Sequence, residues 1–264
     1  ELFRREWISS AATFLPNGRP PQSGTLFTNK GIAATWARLL CEAHAAGSKR
    51  EAQIEAARKT WSQGFVAEEI ALYSQNIKAM DTSGKRHSGL LTQEDMASWE
   101  ATYEEPVSFD YHGYTVLKTG PWAQAPVLLQ QLALLNGFDI GVMDPLGTDF
   151  VHTVTECAKL AFADREAYYG DPNFTEVPVA SLLSPDYNDA RRALVEGTAS
   201  MDLRPGSVDG RNIRLGVAAA SALAAPGAGE PTATERGERR GDTCHIDVID
   251  RWGNMVSATP SGGW

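Results

Sequence analysis

Between Leu203 and Asp242 the chain has a composition from which a packed core cannot be built. "RPGSVDGRN" is followed by "GVAAASALAAPGAGEPTATERGERRGD", and almost no large apolar residue follows Leu223. Gly, Ala, Pro and charge bury too little surface to offset the entropy of ordering, so 203–242 is expected to be a mobile linker. It separates a helix-rich stretch, 1–202, from a short final stretch, 243–264. Whatever the chain folds into must join these two parts across a poor connector.

The final stretch, "TCHIDVID", "RWGN" and "MVSAT", alternates like a β-hairpin. Upstream, residues 1 to about 30 mix aromatic, Pro and Gly residues and read as loop with short elements. "NKGIAATWARLLCEAHAAG" has helical spacing from Asn29 and ends at Gly47. The next segment predicts one or two helices with a break at Gly64. Thr92, followed by Glu94 and Asp95, is a good start for a short helix. "PVSFDYHGYTVLKTG" predicts a hairpin turning at His112-Gly113. "WAQAPVLLQQLALLNGF" predicts an apolar helix closed by Gly137. A longer helix carries Phe150, Val154, Cys157 and Ala161 as one stripe and stops at Gly170-Asp171-Pro172. No internal repeat is visible.

The 264 residues suit one large domain or two small ones, and 42% hydrophobic with 22% charged content is ordinary for a globular chain. A net charge of −9 leaves no basic surplus for displacing counterions from nucleic acid, and it disfavours an anionic membrane. No stretch is long and apolar enough to span a membrane, and no signal peptide is visible. The three cysteines, Cys41, Cys157 and Cys244, form no disulfide framework. Cys41 and Cys157 sit in apolar helical patterns and are expected to be buried.

Four groups of residues could carry chemistry. Cys244, His245 and Asp247 are possible metal ligands, but strand neighbours diverge and the second half of a site is missing. Asp164-Arg165, in "AFADREAYYGDP", reads by default as a solvated or locally paired helix surface. His152 reads as a hydrogen-bonded core residue and Asp171-Pro172 as a helix stop. Thr243 reads as a first strand residue. It becomes a nucleophile only if the chain is cut before it, and the exposed linker permits that without requiring it.

Several segments taken in order carry a resemblance. "GLLTQEDMASWEATYEEPVSFDYHGYTV", "GPWAQAPVLLQQLALLNGFD", "CAKLAFADREAYYGDPNF", "RPGS" and "DTCHIDVIDRWGNMVSAT" are similar to successive motifs of the γ-glutamyltranspeptidase family of N-terminal-nucleophile hydrolases. Together they cover most of residues 25 to 264. The resemblance implies an α+β fold, a four-layer αββα sandwich seen here as a partial chain. On that reading 1–202 is the C-terminal part of a large subunit, 203–242 the linker before the processing site, and 243–264 the first hairpin of a small subunit. The abrupt first and last residues, "ELFRREW" and "PSGGW", fit a partial chain, and both a cytoplasmic and an exported location are compatible with it.

The resemblance also implies a mechanism. The Thr243 hydroxyl would attack the Asp242 carbonyl, and the resulting ester would hydrolyse. The new N-terminus would hold a hydroxyl nucleophile and an α-amine of pKa about 7.7–8.0, able to serve as its base. An acyl-Thr intermediate would pass to an acceptor amine or to water. Neither a cofactor nor a metal is required. The two subunits would stay paired after cleavage, with a small-molecule γ-glutamyl or other amide substrate as the partner. His245 and Asp247 would share a strand face with Thr243 and support that strand.

Two positions bear on substrate. The family's Thr eighteen residues after the nucleophile, which helps to position it, is Ser261 here and keeps a hydroxyl. The Asn two residues further, which binds the α-amino side of the glutamyl group, is Gly263 here. The lost contact leaves a polar partner unpaired at about 1–3 kcal/mol. The family's Arg for the glutamyl α-carboxylate would precede Glu1, its oxyanion Gly pair would follow Trp264, and "PWAQAP" departs from the family's Pro-Ser-Ser-Gly stretch. Three functions follow: a self-processing γ-glutamyl transferase or hydrolase acting on glutathione or related amides, a cephalosporin-acylase-like enzyme with a different acyl group, or an unprocessed binding protein.

Overall fold

The structure is a computed structural model that describes residues 2–80, 84–213, 215 and 244–260. The chain divides into two compact units, 1–102 and 103–264. Among the described residues the strands pair only as three two-stranded antiparallel ladders, so these residues do not themselves form two stacked sheets.

The first unit holds helices α1 (Leu2–Arg5), α2 (Ile8–Phe14), α3 (Lys30–Ala45), α4 (Arg50–Ser62), α5 (Phe65–Asn76) and α6 (Gln93–Ser98). It also holds the short ladder of β1 (Ala79–Met80) and β2 (Arg86–His87). Asn29 starts α3 by accepting a hydrogen bond from the Ile32 amide at 3.0 Å. Gly64 breaks α4 from α5 because the chain folds back on itself there. A side chain at 64 would begin 2.9 Å from the Thr60 carbonyl oxygen. Thr92 and Asp95 form a reciprocal capping box at the start of α6, with bonds of 2.8 and 3.1 Å.

Cys41, expected to be buried, is exposed. On α3 the buried residues are Leu39 and Ala43. At about 100° per residue, position 41 lies on the far side of the helix from both.

The second unit opens with β3 (Val107–Tyr111) and β4 (Tyr114–Lys118), joined by His112 at φ 48° and Gly113 at φ 84°. Two left-handed residues in succession make the primed turn whose twist matches the flanking strands. Next come α7 (Pro126–Leu135), α8 (Thr148–Tyr168), α9 (Val179–Leu182) and α10 (Pro185–Arg192). The unit ends in β5 (Ile246–Ile249) and β6 (Met255–Ala258).

The core lies where α7 meets α8. Val127, Leu134 and Leu135 pack on Cys157, Leu160 and Ala161, joined by Val154, Tyr111 and Phe138. Of the stripe expected on α8, Val154, Cys157 and Ala161 lie in this packed face. Burial pushes the Cys157 thiol up to about 11, which leaves it an inert filler of that core.

The end of α7 differs in cause from the expectation. Gly137 has no left-handed φ. Its missing side chain instead leaves room for Arg192 of α10, whose guanidinium occupies that space. From there Arg192 Nε donates to Leu134 O at 2.8 Å and its NH2 group to Ala133 O at 3.0 Å. A cation thus caps the negative end of the helix and satisfies two carbonyls.

A Cβ at position 137 would stand 2.1 Å from Arg192 Nε. Gly137→Ala is expected to displace the guanidinium and lower unfolding free energy by about 1–3 kcal/mol. Arg192→Ala should cost a similar amount. Because the two act through one contact, the double variant should lose clearly less than the sum in urea denaturation.

Candidate active-site hairpin and the anchor of the preceding segment

The four residues on which the sequence reading stakes the mechanism, Asp242, Thr243, Ser261 and Gly263, lie outside the described residues. What the structure describes is the chain on either side of them: the hairpin that follows Thr243 and the "RPGS" segment that leads toward it.

The hairpin is a regular ladder in which Ile246 faces Ala258, Asp247 faces Ser257, Val248 faces Val256 and Ile249 faces Met255. The Cys244 amide extends it, donating to Pro260 O at 3.2 Å. Its loop is a three-residue turn with Gly253 at φ 86°, a position that favours glycine. Asp250 organises that loop. Its carboxylate accepts from the Trp252 and Asn254 amides at 2.9 Å each and from Asn254 Nδ2 at 2.8 Å. These bonds, that of the Asn254 side chain first, hold the Asp250 carboxyl below its ordinary range.

One face of the hairpin carries a polar chain. His245 Nε2 lies 2.8 Å from Asp247 Oδ2, and His245 Nδ1 lies 2.7 Å from Thr259 Oγ1 on the facing strand. Hydrogen bonds from Ser257 and then His245 hold Asp247 below the ordinary carboxylate range. His245 and Asp247 therefore engage each other and their own hairpin. All strand residues of β5 and β6 are exposed.

The "RPGS" segment is held in the opposite manner. Asp164, read from sequence as helix surface, is 0% exposed. Its carboxylate accepts from Gln130 Nε2 at 2.6 Å, from the Gly206 amide at 2.7 Å and from Arg191 at 3.2 Å. It continues the apolar stripe of α8, since 150, 154, 157, 161 and 164 step by three or four residues. That spacing was the available signal. A carboxylate on a packing face is so costly to bury that its partners must be supplied by the fold. Arg165 is half-buried and pairs both with its neighbour Glu166 and with the distant Gln124, its guanidinium lying 4.8 Å over the Phe162 ring.

A second buried acid, Glu156, completes the anchor at 1% exposure. It pairs with Lys159 at 2.5 Å and with Arg204 at 2.9 Å. Arg204 also donates to Leu194 O at 3.0 Å, and Lys159 to Ser200 O at 2.8 Å. Burial works against the Glu156 charge, but the Lys159 bond, the Ser200 backbone and the Lys159 and Arg204 charges outweigh it. The carboxyl is held below its ordinary range. Tyr168 Oη donates to Gly206 O at 2.5 Å, and Val208 packs with Ala167, Tyr168 and Leu182. The compositional change at 203 therefore does not mark the end of packed chain. Gly206 and Val208 are buried, Arg204 is half-buried and tied to Glu156, and 216–242 lies outside the described residues.

His152 is half-buried, with Nε2 2.7 Å from Glu196 O, a structural tie between α8 and a loop. Beyond the end of α8 at Tyr168, Asp171 closes a turn: its carbonyl accepts from the Phe174 and Thr175 amides, and its side chain from the Asn173 amide.

A family model described as gamma-glutamyltranspeptidase matches residues 1–264. The chain belongs to the γ-glutamyltranspeptidase family. It is 28% identical over 247 residues to the glutathione hydrolase proenzyme of Bacillus subtilis subsp. natto, covering 93% of this chain and 36% of that protein. It is 30% identical over 251 residues to the acylase ACY 1 proenzyme of Pseudomonas sp. (strain SE83), covering 94% and 36%. A solved structure of a protein named LmbA2991 superposes on all of this chain and 43% of its own, with a TM-score of 0.86 and 52% identity. The chain thus spans about a third of the length of these curated relatives. The mixed helix and strand content expected of the family is present. No described helix is long and apolar enough to cross a membrane.

Asp164→Ala leaves Arg191, Gln130 and the Gly206 amide without their acceptor. The expected loss is about 3–5 kcal/mol, the range for breaking one side of a buried charged pair. Asp164→Asn should recover part of it, and both are read from urea unfolding midpoints. Glu156 makes a pH-dependent contribution. Its folded pKa lies below the unfolded value of about 4.3, so its stabilisation is complete above that value and is lost as pH falls through the lower folded one. Glu156→Gln should flatten the acid limb of the melting temperature against pH.

Proposed function

We propose that the protein of which this chain is part is a self-processing acyltransferase or amidohydrolase of the γ-glutamyl type, with Thr243 as its N-terminal nucleophile. The observation that carries the proposal is "DTCHIDVIDRWGNMVSAT", which resembles the family's motif at the start of the small subunit and lies within a family match over the whole chain. Two relatives are named as proenzymes, which supports maturation by cleavage. On this reading Asp242-Thr243 is the bond cut, 1–202 and the linker belong to the large subunit, and 243–264 opens the small one. The subunits then remain together in a four-layer αββα sandwich.

After cleavage the Thr243 α-amine takes the hydroxyl proton, the hydroxyl attacks an amide carbonyl, and an acyl-Thr ester forms. An acceptor amine or water resolves it. Ser261 keeps the hydroxyl that positions the nucleophile. The loop bonds of Asp250 maintain the register of the hairpin that follows Thr243.

Gly263 favours a second reading of the substrate. It removes a side-chain contact to the α-amino side of a glutamyl group, and an acylase proenzyme stands among the relatives. A different acyl group on the same chemistry fits both facts. Glutathione or a related γ-glutamyl amide remains the first substrate class, since a glutathione hydrolase proenzyme matches over a similar span.

On a denaturing gel the full-length wild-type protein should give two fragments and Thr243→Ala one. A single intact band from fresh and aged wild type would leave only the binding-protein reading standing. Release of anilide from a γ-glutamyl anilide, stimulated by glycylglycine, is expected of a glutamyl transferase. Processed protein that releases none has a different acyl group.

A further inference from the structure

Between the turn that precedes α7 and the end of α8, the second unit holds a cleft of about 280 Å³. Trp122 and Gln124 line it from one segment, and Arg165, Glu166, Tyr169 and Asp171 from the other. The processing chemistry proposed above uses none of them. Trp122 and Gln124 fall in "PWAQAP", the stretch that departs from the family's Pro-Ser-Ser-Gly.

The walls are fixed by bonds of their own. The Trp122 indole N–H donates to the Glu104 carboxylate, which holds the ring although the residue is 56% exposed. Arg165 donates to Gln124 Oε1, 41 residues away in sequence, and to the Glu166 carboxylate, while its guanidinium lies over the Phe162 ring. Tyr169 packs against the buried residues of the core. Burial, and then the Asp164 charge, raise its hydroxyl, so it stays neutral. Asp171 Oδ1 accepts from the Asn173 amide at 2.9 Å. A ligand entering such a cleft is spared the entropy of ordering its walls.

The hydrogen-bonding groups left over are of two kinds. A guanidinium carries more N–H groups than the two bonds of Arg165 use, and Gln124 keeps the N–H groups of its amide. These donors suit a carboxylate, which a guanidinium holds through parallel bonds. Glu166 and Asp171 each spend one carboxylate oxygen on the bonds above and keep the other. These acceptors suit an ammonium.

A cleft of this size brings one ligand against both kinds. An anion would leave the two carboxylates unanswered, and a cation would leave the guanidinium unanswered. A zwitterion answers both, and the open Trp122 ring offers an apolar face to the rest of the molecule. Sites for drug-sized molecules begin at about 300 Å³, so this volume suits something smaller.

We infer that this cleft binds a free α-amino acid with an aromatic or large aliphatic side chain. The carboxylate lies against Arg165 and Gln124, the ammonium against Glu166 and Asp171, and the side chain on the Trp122 ring. The inference does not depend on cleavage at Thr243.

The test is fluorine NMR of the full-length protein labelled with fluorotryptophan. The Trp122 resonance, recognised by its absence from Trp122→Phe, should shift and saturate with L-phenylalanine at roughly 0.1–1 mM. Hydrocinnamate lacks the ammonium and phenethylamine lacks the carboxylate, so each should bind about 10-fold or more weaker. Arg165→Gln should weaken L-phenylalanine and hydrocinnamate by a similar factor and leave phenethylamine unchanged. Asp171→Asn, at an exposed residue, should weaken L-phenylalanine and phenethylamine and leave hydrocinnamate unchanged. If Arg165→Gln melts far below wild type, Gln124→Ala, also at an exposed residue, takes its place in the carboxylate arm.

A Trp122 resonance that stays still at about 10 mM L-phenylalanine would overturn the inference. Equal affinity for the three compounds would do so too, since it marks apolar contact without recognition of either charge. So would an L-phenylalanine affinity left unchanged by Asp171→Asn or by the variant of the carboxylate arm.

Discussion

A carboxylate shut away from water must be given hydrogen bonds by the fold, and Asp164 receives them from three separate parts of the chain. Gln130 comes from α7, Arg191 from α10, and the Gly206 amide from the segment beyond α10. Each partner is useful only if the other two arrive, because a partly satisfied buried charge is worse than none. The α7–α8 core supplies the bulk burial, but apolar packing is tolerant of small shifts. The Asp164 bonds are directional. They select one arrangement of helices and one path for residues 204–208.

The same logic explains why small residues stand where two cations arrive. A side chain at Gly206 would meet Tyr187 Oη at 2.2 Å and Arg191 Cδ at 2.8 Å, and one at Gly137 would meet Arg192. Both glycines are set by close approach rather than by backbone twist. Adjacent arginines of α10 thus serve different ends: Arg191 reaches the buried acid, and Arg192 caps α7. The chain leading toward the proposed cleavage site accordingly leaves the core from a rigid anchor at 204–208. The hairpin beyond that site is held by its own ladder, by the Asp250 loop and by the Asp247–His245–Thr259 chain.

Much of the candidate site could be read in the residues because it is local. "RWGN" closes a hairpin wherever it occurs between alternating strands, and Thr92 with Asp95 caps a helix through bonds spanning three residues. The anchor was harder to read. Asp164 looked like surface because charged residues on helices usually are, and only its place in the 150–161 stripe pointed inward. Its partners lie 27 to 42 residues away in sequence. Glu156 and Arg204 are separated by 48. Nothing in local composition reports such pairings, and "RPGS" was accordingly read as the start of the linker.

The sequence by itself determined the elements, the turns and the family, and it singled out Thr243 through order and spacing along the chain. These follow from short-range sterics, from hydrogen bonding within a few residues, and from motifs whose meaning lies in their succession. Only the tertiary structure decided which charges are buried and why Gly137 and Gly206 lack side chains. Those are properties of groups brought together from distant positions, and their energies depend on a solvent exclusion that exists only once the chain has folded.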